Sequence, residues 1–447
     1  YLSSRMSFIA DKQTTDDLNL LGKHRPHSIY RIFCRVETAG GERLLEEMFR
    51  HPLTDADAIN RRSNVFQYLQ SLELTFPLDP VAFRTVEDYL GSSVPAGFLQ
   101  TVFSVLKKKI TAVFLRDEKF DSLQKGLRAT LEMLNKMRVF LQALPADRNS
   151  PWFERVEQLR GVLAHQKLSG LNKLLPATLP VIQLAKLDHL FNHTLAAEMK
   201  LLVQHIHELD VYISVGNVAR EKRFSYAHAL PGNINTLKAS GVWHPSLAKA
   251  VPNPVQLGEE SNVLYLTGAN MAGKSTFMKS LGIAVYLAHM GFPVAAEEME
   301  FSVRDGLYSS INVADDLERG HSHFYAEVLR VKSAAGEVSS GKNMIVIFDE
   351  LFKGTNVKDA FEATLSITAA FSGYRNCVFI ISTHITEAGE ALKDYANLQF
   401  AFMPTIMHEN LPQYPYTLTK GITGDRHGWM IIQNEGIIEM ITGRENK

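Results

Sequence analysis

Cysteine is scarce in this chain: Cys34 and Cys377 are the only two in 447 residues. They lie far apart and in no metal-ligand spacing. That excludes a disulfide framework and a cysteine zinc site, and fits a reducing cytosol. Charge of one sign is also missing. Lys and Arg number 47 against 48 Asp and Glu, for a net charge of −1. No global basic field exists, so any nucleic-acid contact must come from local patches. No apolar run reaches the roughly 20 residues needed to cross a bilayer, and the N-terminus has no signal-peptide layout. A cytoplasmic protein without a membrane partner is therefore expected. Internal repeats and low-complexity stretches are absent. The first residue is Tyr1 rather than Met, as in a segment of a longer protein. What remains is an ordinary globular composition, 45% hydrophobic and 21% charged, long enough for roughly two to four domains.

Residues 1 to about 236 read as helical. The stretch 41–50 has apolar residues at helical spacing and stops at His51-Pro52. Thr54-Asp-Ala-Asp57 reads as a helix start, and Asp79-Pro80 as another with proline at the first helical position. Helices are expected at 97–115, 117–144 and 151–168. The stripe Leu123, Leu127, Leu131, Leu134, Met137 and Leu141 in the second reads as a packing face. From Leu179 to about Lys222 the periodicity runs on without proline, predicting one helix on the order of 60 Å long. Its length and its course toward the second half favour a lever joining two sites.

The composition shifts at Pro231-Gly-Asn-Ile-Asn235. Short β-type runs then alternate with helices at 262–267, 307–312, 344–349 and 376–382, with weaker ones near 397–402 and 429–433. That alternation predicts a mostly parallel sheet with helices on both faces.

Within it, Val263-Leu-Tyr-Leu-Thr267 leads into Gly268-Ala-Asn-Met-Ala-Gly-Lys-Ser275 and then an apolar helix from Thr276. Strand, glycine-bounded loop, Lys-Ser and helix form a phosphate-binding loop in its proper context. Gly268 allows a sharp exit from the strand, and Gly273 lets the backbone N–H groups of Ala269, Asn270, Met271 and Ala272 close on an anion. The helix presents its positive end there. Lys274 is placed to reach the β- and γ-phosphates of ATP, Ser275 to hold Mg²⁺, and Thr276 follows in the same turn.

Met344-Ile-Val-Ile-Phe348 is a strand apolar on both faces that ends in Asp349-Glu350. Carboxylates at that end sit where open α/β sheets bind ligands. Asp349 is placed to hold the metal and Glu350 to orient an attacking water. Ile380-Ile-Ser-Thr-His384 ends in a polar residue and an imidazole that could sense the γ-phosphate. In Asp315 to Phe324, Gly320 and Ser322 could present an N–H and a hydroxyl to phosphate. His321 and His323 lack a third ligand in range, so zinc is rejected.

Together these motifs resemble those of the MutS family of DNA mismatch-repair ATPases, of the ABC ATPase class. Thr267 to Thr276 is similar to the family's TGPNMGGKST, and Asp349-Glu-Leu-Phe-Lys-Gly-Thr355 to its DELGRGT. Trp243-His-Pro, Val251-Pro-Asn-Pro, Ser382-Thr-His384, and Tyr416 to Gly421 followed by Gly428 resemble further elements in the same order. Asp315 to Phe324 resembles the signature loop, and Gly40 to Thr54 the start of the helical core. The resemblance implies an α-helical core and lever region, residues 1–236 with a reduced clamp, followed by an α/β P-loop NTPase domain of ABC type, residues 237–447.

It also implies Mg²⁺-dependent ATP hydrolysis with Glu350, His384 and Asn270 catalytic, Asn270 touching the γ-phosphate or the water. It implies homodimers in which Gly320 and Ser322 complete the partner's site, and binding of mismatched, branched or distorted DNA. The departures are Ala269, Ala272, His323, Phe352 and Lys353, and no Phe-x-Glu mismatch-reading domain is expected. The alternatives are a nucleotide-driven clamp on protein or RNA, and a member that holds nucleotide without turnover.

Overall fold

In the computed structural model the described residues are 7–92, 97–115, 118–145, 147–171, 179–269, 271–311, 323–408, 411–423 and 440–441. They form two compact units. One comprises Tyr1–Ile32, Met48–Ser63 and Val218–Lys447, the other Phe33–Glu47 and Asn64–Asn217. Residues 1–32 and 48–63 thus group with the C-terminal part, where the sequence suggested one cut near 236.

The second unit is helical. Pro80–Gly91 starts as expected, with the Asp79 side chain accepting the Ala82 N–H at 2.8 Å. Helices Phe98–Leu115, Lys119–Ala143 and Phe153–Leu163 follow. The leucine stripe of Lys119–Ala143 is buried from Leu123 to Leu141 and joins a core with Trp152, Leu202 and Ile206.

The single long helix is not observed. Val181–His189 passes into a π-type turn at Leu190–Thr194, and a regular helix resumes at Ala196–Lys222. The Leu195 N–H bonds the Leu190 carbonyl at 2.8 Å, a five-residue step, and Leu195 itself leaves helical geometry at φ −118°. Phe191 and Leu195 are both buried, so the inserted step keeps both on the core side. The uninterrupted helix is about 40 Å long at 1.5 Å per residue, not 60 Å.

In the first unit a six-stranded sheet runs in the order Thr419–Lys420, Leu398–Met403, Val263–Gly268, Val378–Ser382, Met344–Phe348, Gly306–Ser310. Every pairing is parallel except the first, so the expected mostly parallel sheet is present. Helices cover both faces. Val346 and Phe348 pack with Val331 and Phe371 of the helices His323–Ser339 and Val357–Ser372. Ile347, pointing the other way, lies against Gly282 of the helix Lys274–His289. The strand expected near 429–433 lies outside the described residues.

A second sheet was not anticipated. His228–Leu230, Glu298–Ser302, Thr236–Val242 and Asn253–Gly258 pair in that order, the first pair parallel and the rest antiparallel. The helical reading therefore ends at Lys222 rather than 236.

His289 is fully buried at the end of its helix. Its Nε2 accepts the Arg304 N–H at 3.0 Å and its Nδ1 bonds the Val285 carbonyl at 2.8 Å, which requires the proton on Nδ1. Burial depresses its pKa to about 3, so between about 6.5 and 3 the unfolded chain binds a proton that the native chain does not. Stability then falls as pH falls through that window, by up to about 1.4 kcal/mol per unit from this residue. Urea unfolding between pH 4 and 7 should show a flatter pH dependence in His289→Gln than in the parent. An unchanged slope would remove His289 from the account.

Candidate functional site

The site is built at the carboxyl ends of the parallel strands. Gly268 closes the strand Val263–Gly268 at φ +138°, and a Cβ there would stand 2.9 Å from the Met403 carbonyl oxygen. Gly273 opens the helix Lys274–His289 at φ +102°, where a Cβ would stand 2.9 Å from the Tyr416 ring. Both positions combine left-handed backbone with close approach, the two conditions that demand glycine. Between them, Ala269 and Met271 lie on the loop, Met271 itself at φ +74°, while Ala272 is buried. Asn270 lies outside the described residues.

Lys274 is buried, and its Nζ donates to the Gly268 carbonyl at 2.8 Å and the Ala269 carbonyl at 3.0 Å. Burial pulls the ammonium below its ordinary pKa, and the carboxylates of Glu350 and Asp349 oppose that pull. The Ser275 hydroxyl donates to one oxygen of Asp349 and the Ser382 hydroxyl to the other. The Asp349 N–H donates to the Ser310 carbonyl at 2.9 Å. Glu350 takes φ +55°, held by its N–H to the Ser382 carbonyl at 3.1 Å. Its carboxylate lies 3.6 Å from Lys353 Nζ.

A cavity of about 750 Å³ joins these groups. The loop residues Ala269, Met271 and Gly273 to Thr276 line it, with Asp349, Glu350 and Lys353. His244, Val251, Asn253 and Tyr416 complete the wall. The structure thus brings together Lys274, Ser275, Thr276, Asp349 and Glu350 as read from the sequence. His384 is exposed just past the strand Val378–Ser382 and is not among the cavity-lining residues. Gly320 and Ser322 lie outside the described residues.

Three contributors were not singled out as site residues. Ser382 holds Asp349, and its signal was a hydroxyl at the end of the neighbouring parallel strand. Asn253 is buried, donates to the Tyr416 carbonyl at 2.9 Å and accepts the Leu418 N–H at 2.6 Å. It pins the segment that sets Tyr416, at φ +59°, against the loop. Neither Asn253 nor Tyr416 had a spacing that joined it to the loop.

The donor set can be tested against the groups it suggests. A hydroxyl and a carboxylate converging from Ser275 and Asp349 are hard oxygen donors of the kind Mg²⁺ takes. Loop amides at a helix start, beside a buried lysine, suit phosphate. The residues fit both.

A mostly parallel α/β sheet with a glycine-bounded loop and paired carboxylates at its carboxyl edge is the class that fold and site define. Residues 264–446 match the family model of MutS domain V. The chain is similar to the DNA mismatch repair protein MutS of Lysinibacillus sphaericus (strain C3-41), 29% identical over 55% of this chain and 29% of that protein. It is 31% identical to the Petrotoga mobilis (strain DSM 10674 / SJ95) protein of that name over 42% of the chain and 23% of the relative. The Leuconostoc citreum (strain KM20) protein is 33% identical over 43% and 22%. The matched stretch spans less than a third of the length of these relatives. No described helix is long and apolar enough to cross a membrane.

Proposed function

We propose that this chain binds and hydrolyses ATP with Mg²⁺ and uses the nucleotide state to control DNA binding, as part of repair or recombination. The observation that carries the reading is the convergence of Lys274, Ser275, Asp349 and Glu350 on one cavity at the start of the helix Lys274–His289. The loop amides and Lys274 bind the phosphates and orient them. Ser275 and Asp349 hold Mg²⁺, which when bound supplies charge neutralisation. Glu350, kept on the cavity wall by the Ser382 backbone bond, accepts a hydrogen bond from the attacking water and directs it. Tyr416 and Val251 offer an apolar wall to the base. The roles of Asn270, Gly320 and Ser322, and pairing of two ATPase domains into composite sites, rest on the family resemblance. So does a role for His384.

The DNA reading rests on the names of the relatives; the net charge of −1 offers no global field to DNA or RNA alike, and the alternative is a clamp on protein or RNA. Binding to duplex, mismatched and junction DNA, with ADP and with a non-hydrolysable ATP analogue, separates the two. Salt-sensitive binding to a distorted DNA in at least one nucleotide state is expected. No binding to any DNA in either state would remove the DNA reading and leave the protein or RNA clamp.

A further inference from the structure

The strand Gly306–Ser310 is the edge of the main sheet, and its outward N–H groups need partners. A segment nearly 300 residues earlier supplies all three in succession. The Leu307 N–H bonds the Ile9 carbonyl at 2.9 Å. The Ser309 N–H bonds the Thr14 hydroxyl at 3.0 Å. The Ile311 N–H bonds the Asp17 carboxylate at 2.9 Å, and that same carboxylate oxygen accepts the Ser309 hydroxyl at 2.9 Å. Arg330 locks the arrangement by donating to the Ser309 carbonyl at 3.1 Å and to the Thr14 hydroxyl at 3.1 Å, with its guanidinium 3.6 Å from the Tyr308 ring centre. Asp17, Thr14, Ser309 and Arg330 are all buried.

This edge leads directly to the candidate site. Ile311 lines the cavity. Ser310, between the two residues that Asp17 holds, accepts the Asp349 N–H. Asp349 in turn receives the Ser275 hydroxyl. A buried carboxylate bond to an N–H is stronger than a neutral one, so Asp17 is the firmest of the three anchors.

We propose that Asp17 is a positioning residue for the metal-holding carboxylate, acting through Ile311 and Ser310 to fix the backbone of Asp349. This rests on the reading of Ser275 and Asp349 as the Mg²⁺-holding pair. Groups behind a metal ligand typically alter metal affinity 10–100-fold, and at this remove the lower figure, about tenfold, is expected.

Two measurements on Asp17→Asn test it. The first is the Mg²⁺ concentration that half-saturates binding of a fluorescent ATP analogue. It should rise about tenfold, while binding of the same analogue without metal stays at the parental level. The second needs no nucleotide. Amide exchange, followed by mass spectrometry, should lose protection both in the peptide over 306–311 and in the peptide over 344–350. Loosening confined to 306–311, or parental Mg²⁺ dependence, would overturn the proposal. Equal loss of binding with and without metal would do so as well, since it marks a structural role only. If the parent itself binds no nucleotide, the reading of the site fails, and the exchange arm still decides whether Asp17 fixes Asp349. Should Asp17→Asn not fold, Asp17→Ser, which shortens the side chain and removes the carboxylate from the Ile311 N–H and the Ser309 hydroxyl, carries both tests, with the same outcomes deciding.

Discussion

Lys274→Met should retain the fold and lose Mg²⁺–ATP binding by about two orders of magnitude. The methionine keeps the apolar stem and removes the ammonium. In the native loop that ammonium is buried and bonded to the Gly268 and Ala269 carbonyls. Losing those charge-assisted bonds costs about 1.5–3 kcal/mol each, and relief of the burial penalty, which is large enough to lower the Lys274 pKa, offsets it. Stability should therefore change little. Against phosphate the balance is one-sided. A charge-assisted bond is worth about 1.5–3 kcal/mol, and the variant also leaves Asp349 and Glu350 without the buried cation that balances them against an incoming anion. Titration with a fluorescent ATP analogue, alongside thermal unfolding, reads both quantities. Affinity within threefold of the parent at an unchanged melting temperature would mean that Lys274 does not reach the phosphates.

The second large effect separates binding from chemistry. Glu350→Gln preserves shape, and the φ +55° backbone is held by the Ser382 carbonyl irrespective of the side chain. The ion pair to Lys353 disappears, but Lys353 is half exposed and the pair spans 3.6 Å, so its loss costs under about 1 kcal/mol. What is removed is the acceptor for the proton of an attacking water, a contribution of about 10²–10⁴ in rate. Nucleotide affinity should stay near the parental value while phosphate release drops at least a hundredfold. Turnover equal to the parent would assign the base elsewhere. A parent that retains ATP without releasing phosphate would instead favour the reading of a structural nucleotide site.

How far the sequence could be read depended on whether the relevant groups were close along the chain. The loop from Gly268 to Ser275 and the strand ending in Asp349-Glu350 are local patterns, and the sheet placed them where the patterns implied. The four-stranded sheet was missed although Glu298-Met-Glu-Phe-Ser302 alternates charged and apolar residues. Five residues are too few for that alternation to stand out against the helical runs before it. The π-type turn at Leu190–Thr194 had no proline or glycine to announce it. Asn253 and Asp17 were beyond reach for a different reason. Their partners, Tyr416 and Ile311, are 163 and 294 positions away, and no spacing rule connects residues that meet only through sheet topology.

The left-handed backbone at Met271, Glu350 and Tyr416 has a consequence for engineering. Such a conformation costs a residue with a side chain on the order of 1 kcal/mol or more, and all three line one cavity. Glycine at any of them would relieve that cost and remove a wall of the site at once. A selection for heat tolerance alone should therefore drift toward glycine at these positions, while a selection for activity holds them, which makes the rim of this cavity the place where the two pressures pull furthest apart.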